Sequence, residues 1–129
     1  CYSLDKEKCE PIMSILATPA EIRRLLTKIK AKSNRWQLSP RPKNIELMKT
    51  AGASKKDIFE RIYHEINWQD YLAWPEADNH VIPIPGDVWV FGMDLFGVPC
   101  YLKFQDRPTG VVVWISIHQA SYPFQYPYH

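Results

Sequence analysis

No stretch of the chain approaches the roughly 20 apolar residues that span a bilayer; its longest apolar run, residues 111–115, is strand-sized. Residues 1–12 are charged and lack the apolar centre of a signal peptide. Internal repeats and low-complexity tracts are missing too. Cysteine is scarce: Cys1, Cys9 and Cys100 make an odd set without metal-ligand spacing. These absences argue against a membrane span, a disulfide scaffold and a zinc site. They suggest reduced thiols in the cytoplasm, and no metal or other cofactor is expected. A nucleophilic Cys100 is disfavoured, because its side of the predicted strand faces the core.

What the chain does contain is ordinary for a globular protein, with 46% apolar and 23% charged residues in 129. That length suits one domain with its own core. A coherent pattern begins at Met13, so residues 13–129 are read as that domain and residues 1–12 as a leader or added extension.

The net charge of +2 hides a division. Residues 22–56 hold eleven Lys or Arg against a single acid, Glu46, while acids dominate on both sides. Such a block suits a polyanion, with RNA or DNA foremost. An acidic protein partner, or merely a solvated helix face, satisfies it too. Arg23, Arg24, Lys28, Arg41 and Lys43 are the residues expected to track phosphate.

Thr18-Pro19-Ala20-Glu21 is a capping box with proline in the first turn. Ile22, Leu25, Leu26 and Ile29 follow at helical spacing. Residues 36–42 carry two prolines and are read as a linker. A second helix fits residues 43–51, with Ile45, Leu47 and Met48 inward and Gly52 as its stop. Ser54 caps a third, whose buried face is Ile58, Phe59, Ile62 and Ile66. Residues 71–86, with three prolines, are read as a long ordered loop.

From Asp87 the period changes to two, giving strands at 88–94, 98–105 and 111–118 with short connections. The expectation is an α+β fold, N-terminal helices packed on a small three-stranded antiparallel meander. The tail, rich in Tyr and Pro, reads as an extended arm over the sheet.

Alternation assigns faces. Val98, Cys100, Leu102 and Phe104 share one side with Val111, Val113, Ile115 and Ile117, which makes the core face. Tyr101, Lys103, Trp114, Ser116 and His118 then gather on the other. Metal-free RNA cleavage needs a proton acceptor for the 2′-OH, a donor for the leaving 5′-oxygen, and positive charge at the phosphate. His118 titrates near neutrality, Tyr101 offers a phenol and Lys103 a fixed charge. Trp114 or the tail tyrosines suit base stacking. The same residues on the wet side of a sheet also occur without any function. His64 and His80 have weaker claims.

Trp68-Gln69-Asp70-Tyr71, Trp74-Pro75-Glu76-Ala77-Asp78, Val88-Trp89-Val90-Phe91-Gly92, Tyr101-Leu102-Lys103-Phe104 and Ile115-Ser116-Ile117-His118 together resemble MqsR-type toxins over about residues 40–128. The resemblance implies a RelE-like fold, ribosome-independent cleavage of mRNA, and a cognate antitoxin that silences it. Tyr101 and His118 fall on positions the family uses. Tyr71 is followed by Leu72 where members often carry Lys, and Val90 stands where some carry Gln. The reading is an mRNA endoribonuclease toxin; the alternative is a non-catalytic RNA- or protein-binding module of the same fold.

Overall fold

The computed structural model describes residues 16–76 and 86–129. The leader at residues 1–12 therefore lies outside the described residues, as does residue 80. Three helices come first: α1 (Pro19–Lys30), α2 (Pro42–Ala51) and α3 (Lys55–Glu65). Five strands form one sheet: β1 (Trp36–Leu38), β2 (Tyr71–Glu76), β3 (Asp87–Leu95), β4 (Val98–Asp106) and β5 (Val112–Gln119), in the order β1-β5-β4-β3-β2. None of the helices among the described residues is long and apolar enough to cross a membrane.

The helices begin where chemistry says they should. Thr18 Oγ1 accepts from the Glu21 N–H and Glu21 returns the bond to Thr18 N, a reciprocal cap that fixes the start of α1. Ser54 and Asp57 repeat it at α3. α1 and α3 lay Ile22, Leu25, Leu26, Ile29, Ile58 and Ile62 on one face of the sheet, against Trp89, Phe91, Leu102 and Phe104.

The expected three-stranded meander is corrected to a five-stranded mixed sheet. β3, β4 and β5 are the antiparallel trio, but each outer flank carries another strand. β2 pairs antiparallel with β3 through two irregularities in register, so the first part of the expected loop is a strand. β1, inside the expected linker, runs parallel to β5, Trp36 opposite Val112 and Leu38 opposite Trp114. Trp36 is bound there by its ring: Nε1 donates to Ile29 O at 2.8 Å, and the indole packs 4.8 Å from Trp114 and 5.4 Å from Phe59.

β1 is too short to cover the whole edge of β5. Asn44 of α2 takes over where it stops. Its side-chain amide donates to Ile115 O and Ser39 O and accepts from Ile117 N. One buried side chain thus does for β5 what another strand residue would do. This explains why Asn44, and not Ile45, is the inward residue of α2; Ile45 is 42% exposed, contrary to expectation, while Leu47 is buried.

β3 and β4 are joined by Phe96-Gly97 alone, both at positive φ (53° and 81°). Two successive residues in that region match the right-handed twist of the hairpin. Phe96 accepts a conformation that glycine adopts more readily; the Arg61 guanidinium lies 4.4 Å over its ring.

Candidate functional site

Regular alternation along β4 turns Cys100, Leu102 and Phe104 to the core and leaves Tyr101 and Lys103 half-exposed on the opposite, outer face. β5 does not alternate regularly. Lys103 lies opposite Ser116, yet the next residue, Phe104, lies opposite Trp114, so Ile115 is an extra residue in β5. The bulge reverses the phase of everything before it.

The consequence divides the expected site. After the bulge, Ser116 faces out beside Lys103 and His118 faces out beside Tyr101. Before it, Trp114 turns inward and is fully buried, 4.7 Å from the Phe104 ring. Trp114 therefore cannot stack on a base from solvent, and its assignment to the outer face is corrected. Val112 takes a core position, where Val111 and Val113 were expected.

Tyr101 and His118 stand side by side, ring centroids 5.4 Å apart and planes within 19°. His118 Nδ1 lies 3.2 Å from Gln119 O. A carbonyl can only accept, so that contact is a hydrogen bond when Nδ1 carries the proton, which leaves the Nε2 lone pair unused. Burial, and then the nearby Lys43 and Arg41 charges, hold the imidazole below its ordinary range. Both effects favour the neutral ring, the form that can accept a proton.

The two cations come from the start of α2. Arg41 is its N-cap residue, Lys43 lies in the first turn, and no acid is there to offset them. The positive end of the helix adds to their field. Arg41 Nη1 donates to Ser116 Oγ at 3.0 Å, so Ser116, itself nearly buried, ties the guanidinium to the sheet beside Lys103. Arg41, Lys43, Lys103, Ser116, Tyr101 and His118 thus form one neighbourhood.

Arg23, Arg24 and Lys28 do not join it. They belong to α1, across the sheet. Arg23 lies over the Trp68 ring at 4.8 Å, and Lys28 and Lys32 both bind Asp106, at 3.0 and 2.8 Å. An open cleft of about 1030 Å³ lies between α1 and the Asp106 end of the sheet, lined by both signs of charge. It holds none of the outer-face groups. His64 is exposed on α3 against Tyr63. Cys100 is buried, and its thiol is pushed up to about 12 chiefly by that burial, so it is no nucleophile.

Two residues that sequence reasoning passed over border this neighbourhood. Gly92 of β3 lies directly opposite Tyr101, and a Cβ there would meet the Phe124 ring at 2.9 Å. The tail therefore crosses the outer face. Tyr126 Oη donates to Gly92 O at 2.8 Å, and Tyr128 Oη donates to Ala17 O. A glycine in the middle of a strand was the available signal, since it marks close approach of another group. Among the described residues no cluster of His, Cys, Asp or Glu is arranged to hold a metal.

No protein-family model matches this chain, and neither a curated protein nor a solved structure matches it.

Proposed function

We propose that the protein is an endoribonuclease that cuts mRNA without a metal, a toxin of the MqsR type held in check by a cognate antitoxin. The observation that carries this reading is the pairing of His118 with Tyr101 on an outer face where Lys103 and Arg41 occupy the adjoining row. The sequence motifs around these residues support the same family.

In the proposed reaction, His118 Nε2 takes the proton from a ribose 2′-OH. The 2′-oxygen bonds to the adjacent phosphorus, the bond from phosphorus to the 5′-oxygen breaks, and a 2′,3′-cyclic phosphate remains. The departing 5′-oxygen takes a proton from the Tyr101 phenol, which recovers one from His118 through solvent. Lys103 and Arg41 offset the charge that builds on the phosphoryl oxygens. A neutral imidazole suits the first step.

The test is purified protein with a long RNA in EDTA, with the new ends mapped. Cyclic phosphate ends from the parent protein are expected, and His118→Ala should slow their appearance about 10²–10⁴-fold. Expression of the parent should arrest growth, and that of His118→Ala should not. RNA that is bound with a steep salt dependence yet stays intact would replace the nuclease with a binding module.

A further inference from the structure

We propose that Phe124, seated on Gly92, is a platform for one unpaired nucleobase, so that the tail selects single-stranded RNA at the site. The inference rests on the endonuclease reading for its choice of RNA. Its geometry stands on the tail alone.

Three atoms of the Phe124 ring, Cδ1, Cδ2 and Cε2, lie 2.9–3.0 Å from where a Cβ of Gly92 would be. Near-equal distances to both sides of a ring mean that it lies flat on the strand. One π face is spent on the sheet, while the residue as a whole remains partly exposed. No side chain but hydrogen allows that approach. Tyr126 sets the position: its hydroxyl binds Gly92 O, and its ring meets Phe124 edge-on at 5.6 Å.

Gly92, Tyr101 and His118 are successive partners across β3, β4 and β5. Phe124, Tyr101 and His118 therefore make one row of rings across the outer face. The next row is Val90, Lys103 and Ser116, the last holding Arg41. Two strand positions separate the rows, about 6.8 Å. Rings in one row and cations in the next suit a chain whose flat apolar groups and anionic links alternate. Single-stranded nucleic acid has that character, since its bases are free to leave the stack and lie on a side chain. A duplex offers no such base.

The probe is a short fluorescein-labelled 2′-fluoro RNA strand, which lacks the nucleophilic hydroxyl and cannot be cut. Anisotropy gives its affinity for the full chain, with and without single abasic sites along the strand. In the parent, one abasic position should weaken binding about tenfold, within the range for a stacked base. Phe124→Leu keeps the seat filled and should unfold at the parent temperature, yet bind the intact and abasic strands alike. Phe124→Trp should restore the preference for the intact strand. An abasic penalty that survives in Phe124→Leu, or none in the parent, overturns the platform. Loss of RNA cleavage with the penalty retained would instead overturn the endonuclease and leave the platform standing.

Discussion

His118 keeps its lone pair because burial and the Arg41 and Lys43 charges all oppose the added proton. The sign follows directly. A base must be unprotonated to act, and protonation here is delayed to lower pH, so the acid limb of kcat/KM should lie below the ordinary imidazole value of about 6.5. Arg41→Ala or Lys43→Ala removes a repelling cation and should move that limb, and the His118 NMR titration, upward. Burial, the larger cause, stays, so neither should reach 6.5. Trp114 tests the opposite kind of residue. Trp114→Ala should cost about 3–5 kcal/mol in denaturant unfolding, because the indole fills the space between Trp36 and Phe104. Tyr101, Lys103, Ser116 and His118 were legible as one face since β4 and the end of β5 keep a period of two. Trp114 was not. A bulge adds a residue without changing the apolar character of Val112 to Ile115, so nothing in the pattern announces the change of phase.

Among the elements, α2 has the widest influence, because it finishes an edge that β1 leaves open. Asn44→Ala would strand Ile117 N and Ile115 O, and each buried polar group left unpaired costs about 1–3 kcal/mol. Lower thermal stability is expected. So is weaker RNA cleavage, since Arg41 would lose its fixed distance from Ser116. An Asn44→Ala protein with the parent's melting temperature would show that the side-chain amide is dispensable. The capping boxes of α1 and α3 were readable because their bonds are local. β1 was hidden by its length of three residues and by a partner, β5, far along the chain. β2 was hidden by Pro75 and an uneven register. α2 announced Leu47 but not Asn44, whose burial is caused by a strand edge that no local spacing encodes.

At the scale of the molecule, the sheet separates two tasks. One face carries α1 and α3 and the bulk of the core; the other carries the ring and cation rows, with the tail across them. The tail also ties the ends of the fold together, for Tyr128 packs 5.7 Å from Trp68 and 6.1 Å from Tyr71 and bonds to Ala17. Tyr128→Ala should lower unfolding free energy by about 1–3 kcal/mol, from a partly buried ring and one hydrogen bond. The pairing of β1 with β5 carries a further consequence for the order of assembly. Contacts between distant segments form only after the intervening chain has paid its loop-closure entropy. During synthesis the first strand must wait, unpaired, until the final strand has left the ribosome. A nascent polypeptide that still lacks β5 therefore has neither a closed sheet nor an imidazole at position 118, and the outer-face row of rings comes into being only together with the last-paired strand.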